Sequence, residues 1–347
     1  MILPAEWSPQ QATLLTWPHD ADIWGNQHAA VQQTFSHLIA LIARFQPVIL
    51  VIPPRFDRHI ILAKLQRFDT ADPTQIYFFE ALSNDCWARD HGPIGVHSEN
   101  GLEFLDFRFN GWGEKFPSQL DNRITRDLYR QGALGSHPIH TLPFVLEGGS
   151  IETDGCGTLL TTRRCLLSPQ RNPGLAQHEI EAKLRQWLGV DRFLWLDHGA
   201  LEGDDTDSHI DILARFCDPE TIVYTTCSNP SDSQYDELCR MKQELESFRD
   251  CNGEPYHLFP LPIPRPIHDG QGRRLAATYA NFVITNGQVI VPVYNDPMDQ
   301  IALETLQRCF PDRRIAPLDA RSLIHQGGSL HCVTMHIPAE NTPDGHD

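Results

Sequence analysis

Phe282-Val283-Ile284-Thr285-Asn286-Gly287-Gln288-Val289-Ile290-Val291 places two runs of strand-forming residues on either side of an Asn-Gly pair. Asn-Gly is typical of two-residue hairpin loops, because both residues tolerate the positive φ angles that such turns require. Apolar residues then recur with helical spacing over residues 299–309, and the short apolar segment Arg314-Ile315-Ala316 follows. The stretch therefore predicts a β-β-α-β unit.

The same unit recurs along the chain. Three further hairpin turns lie between apolar runs, at Asn100-Gly101, Asp154-Gly155 and Asp218-Pro219-Glu220. The spacing predicts amphipathic helices over 29–45, 177–188 and 231–248, and short strands over 13–15, 48–52, 192–196 and 256–259. A strand over 333–337 would complete the hairpin of the N-terminal unit.

About five such units fill the chain, at intervals of roughly 50 to 70 residues. Repetition of one unit around a closed ring is one way to bury every sheet edge. A doubly wound sheet is the alternative, but it does not normally contain so many hairpins. The sequence therefore predicts an α/β fold of pseudosymmetric β-β-α-β modules, with residues 1–338 as a single domain. Residues 339–347, rich in Pro, Asn, Asp and Gly, are predicted to form a flexible tail.

Composition narrows the range of partners. The 347 residues carry a formal net charge of −17, and the calculated pI is about 5.4. Nucleic acids and anionic membranes are bound through clustered Lys and Arg, so we expect neither as a partner, whereas a small cation matches the sign of the charge. No apolar stretch reaches the roughly 18 residues of a membrane span. The nine cysteines include no C-x-x-C pair, which favours a cytoplasmic location over a disulfide framework or a zinc ribbon.

Two separate segments could together form a nucleophilic site. Cys332 follows Gly327-Gly328-Ser329-Leu330-His331, and the segment Asp204 to Asp211 contains His209. Apolar residues alternate from Ser208 to Phe216, which predicts a strand with the side chains of His209 and Asp211 on one face. A cysteine, a histidine and a carboxylate suit nucleophilic catalysis. The alternative is that the histidine is a hydrogen-bonded interior residue and the cysteine an inert core residue.

Three more segments are unusually polar for stretches flanked by predicted structure: Asn84 to Pro93, Phe107 to Gly113 and Leu146 to Ile151. Each is also compatible with ordinary turn chemistry and surface ion pairing.

Five ordered motifs, taken together, resemble the agmatine deiminase family and the related bacterial-type peptidyl-arginine deiminases, both of the guanidino-group-modifying superfamily. The motifs are Cys-Trp-Ala-Arg-Asp-His-Gly-Pro (86–93), Leu-Glu-Gly-Gly-Ser-Ile-Glu (146–152), Asp-Thr-Asp-Ser-His-Ile-Asp (205–211), Arg-Leu-Ala-Ala-Thr-Tyr-Ala-Asn-Phe (274–282) and Gly-Gly-Ser-Leu-His-Cys (327–332). The resemblance extends from about Pro4 to Pro338. It implies a five-bladed α/β propeller, which agrees with the repeat pattern.

The resemblance also implies catalytic roles. Cys332 would attack the central guanidinium carbon and form a covalent amidino-thioether intermediate. His209 would protonate the departing ammonia and then deprotonate the water that releases the ureido product. Glu147 would hold and polarise His209.

Further roles concern substrate binding. Asp90 and Asp211 would bind the guanidinium nitrogens, because planar N–H groups pair bidentately with carboxylates. Trp87 would flank the guanidinium or the alkyl chain. Asp205 is a candidate contact for the distal amine of agmatine. The resemblance implies neither a metal nor another cofactor.

Two motifs depart from the family pattern. Typical agmatine deiminases have Glu-Thr-x-Gly-His before the catalytic histidine and Gly-Gly-Gly-Asn-Ile-His-Cys at the nucleophile. Here Asp205-Thr206-Asp207-Ser208-His209 and Gly327-Gly328-Ser329-Leu330-His331-Cys332 take these places. The reaction type is therefore better supported than the substrate.

We expect an agmatine deiminase that hydrolyses agmatine to N-carbamoylputrescine and ammonia, a step of putrescine biosynthesis. Peptidyl-arginine or another guanidino compound is the alternative substrate, and a homodimer is one of the oligomeric states left open. Two other classes are weighed against this function. A metallohydrolase would use pairs such as His209 with Asp211, His19 with Asp20 or Asp197 with His198, although no H-E-x-x-H spacing occurs. A catalytically silent propeller that only binds ligands is the other.

Overall fold

A computed structural model describes residues 1–68 and 72–340. The strands are β1 Gln10–Thr16, β2 Val48–Ile52, β3 Ile76–Glu80, β4 Ile94–Ser98, β5 Gly101–Arg108, β6 Ile139–Val145, β7 Ile151–Thr153, β8 Thr158–Thr162, β9 Arg192–Leu196, β10 Ala214–Asp218, β11 Thr221–Thr226, β12 His257–Pro262, β13 Val283–Ile284, β14 Gln288–Val293, β15 Arg314–Asp319 and β16 Thr334–Pro338. The α-helices are α1 Ala21–Trp24, α2 His28–Ile42, α3 Arg58–Leu65, α4 Ala88–His91, α5 Gly111–Glu114, α6 Ile124–Arg130, α7 Arg163–Leu166, α8 Gln177–Leu188, α9 Tyr235–Ser247 and α10 Met298–Cys309. Most of the expected tail, residues 341–347, lies outside the described residues.

The strands form five small sheets. Four of them have the order β4-β5-β6, β7-β8-β9, β10-β11-β12 and β13-β14-β15, each with one antiparallel pair followed by a parallel strand. All four predicted hairpin turns join the antiparallel pairs. This strand order is that of the predicted β-β-α-β unit, which the structure confirms.

The first sheet joins the two ends of the chain. Its order is β16-β1-β2-β3, and β16 pairs antiparallel with β1, with Thr13 opposite His336. The C-terminal strand thus supplies the missing hairpin partner of the N-terminal unit, as the sequence predicts. The ring is closed in this way, and the fold is the expected five-bladed α/β propeller.

The prediction of a strand from Ser208 to Phe216 is wrong in its first half. Asp207 and Ser208 have φ angles of 67° and 65°, a 3-10 turn covers Ile210–Ile212, and β10 begins only at Ala214. Ile210 and Ile212 are both buried although the backbone around them is not extended. Alternation of apolar residues therefore reflected burial in an irregular turn and not the two-residue period of a strand.

Among the elements that sequence reasoning missed are α3, α6, β3 and β6. Four of the five residues of β3 are apolar or aromatic, but only Ile76 is buried, because the strand lies at the edge of its sheet. Among the described residues, no helix combines the length and the apolarity needed to cross a bilayer.

Candidate active site

The propeller repeat brings five equivalent turns together. Each turn precedes the first strand of a blade, namely β4, β7, β10, β13 or β16. The turns carry, in that order, Asp90, Glu147 with Gly149, His209 with Asp211, Asn281, and Cys332. Residues that are far apart in sequence are close in space because the blades are related by pseudosymmetry.

Cys332 lies in the turn before β16 and is 5% exposed. Its Sγ accepts a hydrogen bond from Asn281 Nδ2 at 3.2 Å and lies 3.7 Å from Asp211 Oδ2. Asn281 Oδ1 in turn accepts from the backbone N–H of His331, at 2.9 Å, which fixes the turn. Burial, together with the carboxylates of Asp211 and Asp90, raises the pKa of the Cys332 thiol well above its usual range. The sulfur is therefore protonated in the empty site at neutral pH.

One carboxylate oxygen of Asp211 lies near the sulfur of Cys332, and the other is available to a ligand. Its Oδ2 lies 2.7 Å from His331 Nδ1, whereas Oδ1 is buried and has no hydrogen-bond partner among the described residues. Burial alone would raise the pKa of Asp211, but the hydrogen bond and charge of His331 hold it below its usual value. The carboxylate is therefore ionised, and its free oxygen can accept an N–H from a ligand.

Asp90 is oriented by two donors. Trp112 Nε1 donates to Oδ2 at 2.8 Å, and the backbone N–H of Gly149 donates to Oδ1 at 3.0 Å. Burial raises the pKa of Asp90, and the charges of Asp211 and Glu147 act in the same direction. A cation between Asp90 and Asp211 would relieve this repulsion.

His209 comes from the 207–211 turn and is buried. Its Nδ1 is 3.6 Å from Asp90 Oδ1, and neither ring nitrogen has a hydrogen-bond partner among the described residues. Burial by itself lowers the pKa of His209, but the Asp90 carboxylate and then Cys165 hold it well above its usual range. The ring is therefore an imidazolium that can donate a proton. His209 and Asp211 do face the same site, through the 3-10 turn and not through one strand face.

The resemblance implies that Glu147 holds His209, but no hydrogen bond joins the two side chains. Both of its carboxylate oxygens accept from Arg171 Nε at 2.9 Å, and both side chains are fully buried. A buried guanidinium needs a carboxylate partner, and Glu147 is that partner for Arg171. Glu147 acts on His209 only through its charge, at close range.

Cys165 is an unexpected neighbour of His209. Potential ligand atoms of Glu147, Cys165 and His209 all lie within 4.8 Å of one another, the one such group of three in the described part of the chain. The residue pairs considered for a metallohydrolase have other partners: Asp211 binds His331, His19 contacts the carbonyl of Trp17, and Asp197 and His198 bind Arg163 and Glu244.

A cavity of about 440 Å³ leads to the sulfur. Trp87, Asp90, Asp205 and Cys332 all line it, together with Asp20, Asp85, Trp112 and Phe116. Trp87 packs so closely on Gly328 that a Cβ at that position would overlap its ring. Four aspartates and no lysine or arginine line this cavity within residues 1–68 and 72–340, so it is suited to cations.

Asp205 also lines the cavity and is half-buried. Burial and the neighbouring Asp204 raise its pKa to about 6. Lys115 Nζ donates to the carbonyl oxygen of Asp205 and to Asp207 Oδ1, both at 2.7 Å. Asp207 also pairs with Arg171 at 2.7 Å, so its charge is already balanced and is not free for a ligand.

Sequence reasoning quoted Trp112, Asn281 and His331 within motifs but gave them no role. Arg171 lay outside the quoted motifs, and only its burial reveals its importance. A tryptophan between glycines and an asparagine before a strand were the available signals, and both are also common in ordinary turns.

Gly149 leaves space at the centre of the site. A Cβ there would lie 2.7 Å from His209 Nδ1, 2.9 Å from Asp90 Oδ1 and 3.0 Å from Asp211 Oδ2. Gly149→Ala should therefore push these side chains apart and lower kcat/KM by about 100-fold, since small misplacements of reacting groups have effects of this size. Steady-state ammonia release would measure the loss. Gly270→Ala, at a glycine with open space around its Cβ position and no positive φ angle, is the control for folding. Near-normal activity in Gly149→Ala would contradict this geometry.

Comparison with known proteins places the chain in one family. The family model for Porphyromonas-type peptidyl-arginine deiminase matches residues 2–338. A Porphyromonas gingivalis structure that carries the provisional name arginine deiminase is 46% identical, with a TM-score of 0.89 and coverage of 98% of both chains. The Campylobacter jejuni agmatine deiminase with substrate bound is 36% identical, with a TM-score of 0.89 and coverage of 98% of this chain and 97% of that one.

A Pectobacterium atrosepticum protein, provisionally named agmatine deiminase, is 34% identical over 97% of this chain and 94% of its own length. Each of these similarities extends over nearly the whole chain. The chain therefore belongs to the Porphyromonas-type peptidyl-arginine deiminase family.

Proposed function

We propose that this protein is an agmatine deiminase, which hydrolyses agmatine to N-carbamoylputrescine and ammonia. The observation that carries the proposal is the cavity that Cys332 lines. Four aspartates also line this cavity. Agmatine has a positive charge at each end, a guanidinium and a primary ammonium, and no carboxylate. An acidic cavity lowers the free energy of such a dication and disfavours an anion.

The guanidinium would bind between Asp90 and Asp211. Asp211 Oδ1 has no partner among the described residues, and the Asp90 carboxylate is held in place by Trp112 and Gly149. Two carboxylates can accept the N–H groups of a planar guanidinium, and its charge would relieve their mutual repulsion. The pair would hold the central carbon near the Cys332 sulfur.

Binding of the cation would also favour the thiolate, with the thiol proton released to solvent through the cavity that Cys332 lines. Asp211 and Asp90 raise the pKa of Cys332 in the empty site, and a guanidinium between them would offset both charges. The thiolate then attacks the guanidinium carbon to give a tetrahedral adduct. The adduct expels ammonia, with His209 donating the proton, and leaves the amidino-thioether.

Hydrolysis would complete the cycle. Neutral His209 accepts a proton from water as the water attacks the amidino carbon, and the C–S bond then breaks. The products are the ureido compound and the regenerated cysteine, and the histidine is again an imidazolium. His209 suits both steps because it faces Asp90 at 3.6 Å and because its pKa is held above the usual value.

The part of the cavity beside Asp205 would bind the primary ammonium. Asp205 lines the cavity, and its pKa of about 6 allows the carboxylate to ionise near neutral pH. A bound ammonium would stabilise the ionised form further. The α-carboxylate of arginine, in the same place, would be repelled by the carboxylate of Asp205.

Peptidyl-arginine or arginine is the second candidate substrate. Two observations favour it: the family carries the name peptidyl-arginine deiminase, and the 46% identical structure carries the provisional name arginine deiminase. Lys115 lies beside Asp205 and is the cation that could meet a carboxylate there, although it is already bound to Asp207. The acidic cavity favours agmatine.

Agmatine should be turned over with a kcat/KM at least about 100-fold above that of arginine, because an unpaired buried carboxylate costs several kcal/mol. Ammonia release and the ureido product should be measured for agmatine, arginine and an arginine peptide. Asp205→Asn should raise the KM for agmatine. It should also lower the ratio of kcat/KM for agmatine to kcat/KM for arginine. Equal kcat/KM values for arginine and agmatine, or a preference for the peptide, would reject agmatine as the substrate, and no turnover of any of the three would reject the deiminase.

Four broader expectations belong to the same proposal. Residues 1–338 would act as one domain, because the pairing of β16 with β1 makes the first blade depend on both ends of the chain. The location would be cytoplasmic, in keeping with the spacing of the nine cysteines. No nucleic acid would be a partner, in keeping with the charge of −17. A homodimer stays an expectation that size measurement in solution can test.

A further inference from the structure

The segment that precedes β1 reaches the centre of the propeller and places a carboxylate behind the proposed active site. Glu6 is buried, and its Oε2 lies 2.7 Å from His331 Nε2. The other nitrogen of the same ring, Nδ1, lies 2.7 Å from Asp211 Oδ2. A continuous chain of contacts therefore links Glu6 through His331 to Asp211, and Asp211 contacts the sulfur of Cys332 at 3.7 Å.

The two short contacts determine the protonation of His331. Burial alone would raise the pKa of Glu6, but His331, Arg215 and Arg89 hold it well below its usual value, so Glu6 is ionised. Asp211 is ionised as well. An ionised carboxylate can only accept a hydrogen bond, so each nitrogen of His331 must carry a proton to make its contact. His331 is consequently an imidazolium between two carboxylates.

Other charged groups surround this chain of contacts. The titratable or charged side chains around His331 are Asp211, Glu6, Arg89, Arg215, Glu152 and His336. The two arginines bind Glu6 Oε2 at 3.3 and 3.0 Å, and Arg215 also binds Glu152 at 2.8 Å. Burial and the Arg89 guanidinium lower the pKa of His336 to about 3, so that ring is neutral. Glu6 is thus the carboxylate that faces the far nitrogen of His331.

We propose that Glu6 is a positioning residue, which keeps His331 doubly protonated and thereby fixes the orientation and the charge of Asp211. The inference rests on the proposed deiminase function, in which Asp211 binds the guanidinium beside the nucleophile. A neutral His331 would leave the negative charge of Asp211 uncompensated. That charge would raise the pKa of the Cys332 thiol further and make the thiolate harder to form.

The sign of the pH effect follows from the loss of one charge. Glu6→Gln keeps the shape of the side chain but removes the carboxylate that stabilises the imidazolium. The ring of His331 then no longer faces an anion at Nε2, and the less compensated charge of Asp211 raises the pKa of the Cys332 thiol further. The pH at which kcat/KM rises should move up by about one pH unit or more, and kcat/KM at pH 7 should fall about tenfold or more, since one pKa unit corresponds to a factor of ten. The loss should be smaller at higher pH.

Glu152→Gln is the matched control. Glu152 is also a buried carboxylate bound to Arg215, but its oxygens contact Arg215 Nε and the backbone N–H of Phe216 and not the ring of His331. Its pH profile should move much less than that of Glu6→Gln. Thermal unfolding of both variants would show whether they lose similar stability. An unchanged pH profile of kcat/KM in Glu6→Gln, or equal shifts in both variants, would overturn the proposal.

A second measurement does not depend on turnover. In substrate-free protein labelled with ¹⁵N-histidine, both ring nitrogens of His331 should carry a proton, and comparison with His209→Ala distinguishes their signals from those of His209. Glu6→Gln should remove the N–H signal of His331 Nε2, and Glu152→Gln should keep both signals. If the signals behave in this way but no guanidino compound is hydrolysed, the proposed function fails and the positioning of His331 stands. If His331 in the wild type lacks one of these two protons, the positioning proposal fails whatever the activity.

Discussion

Cys332→Ala should lower the turnover of agmatine by more than about 10⁴-fold, because removal of a catalytic nucleophile has effects of this size. The substitution removes the atom that would attack the guanidinium carbon, and each of the other eight cysteines lies elsewhere. The fold should survive, since Cys332 is small and its backbone is held by Asn281 through the His331 N–H. Ammonia release would measure activity, and circular dichroism would verify the fold.

A matched control separates loss of the nucleophile from loss of a buried sulfur. Cys217 is equally buried, in β10, but does not line the cavity, so Cys217→Ala should keep most activity. Cys165 is a poor control, because it lies beside His209. Acid-quenched wild-type protein should also carry the mass of an amidino adduct, which Cys332→Ala should lack. Turnover in Cys332→Ala within tenfold of the wild type would end the thiol mechanism.

His209→Ala should have the second largest effect, a loss of roughly 10²–10⁴-fold in kcat, the range typical of removing a general acid–base group. His209 is buried and is held as an imidazolium, chiefly by Asp90. A general acid–base group acts mainly in the transition state, so the KM for agmatine should change by less than about fivefold while kcat falls. Steady-state kinetics with agmatine would separate the two constants.

His37→Ala is the control for the loss of a histidine. His37 stacks on Phe68 with ring centroids 4.6 Å apart, and neither residue lines the cavity. Activity should be close to that of the wild type. A kcat in His209→Ala within fivefold of the wild type would show that another group transfers the proton. A large rise in KM with kcat unchanged would instead point to a binding role for His209.

The order of strands and helices was largely predictable from the sequence. The predicted helix over 177–188 and strands over 48–52 and 192–196 have the observed bounds, and the four hairpins lie at the predicted turns. These elements depend on neighbours in sequence: a primed turn needs Asn-Gly or a similar pair, and an amphipathic helix needs its apolar stripe. The helix predicted over 231–248 begins later, at Tyr235, because Asp232 accepts from the Gln234 N–H and forms a turn first.

The sequence predicted which side chains would lie together, but not how they are arranged. The family motifs placed Cys332, His209, Asp90 and Asp211 in one site, and the structure brings them together. The strand expected to align His209 with Asp211 is instead a 3-10 turn preceded by two left-handed residues. Burial on all sides of this turn produced the alternating pattern, so periodicity could not distinguish the two backbones.

The sequence by itself determined the repeated unit, the turns between its strands and the nature of the reacting groups, because local chemistry and composition decide these. Only the tertiary structure decided which charged side chains pair with each other. Glu147 binds Arg171 and not His209, and Glu6 reaches His331, 325 positions away in the chain. Buried charges take the partners that closure of the ring brings within reach, since an unpaired charge in the interior is too costly. No pattern of neighbouring residues contains that information.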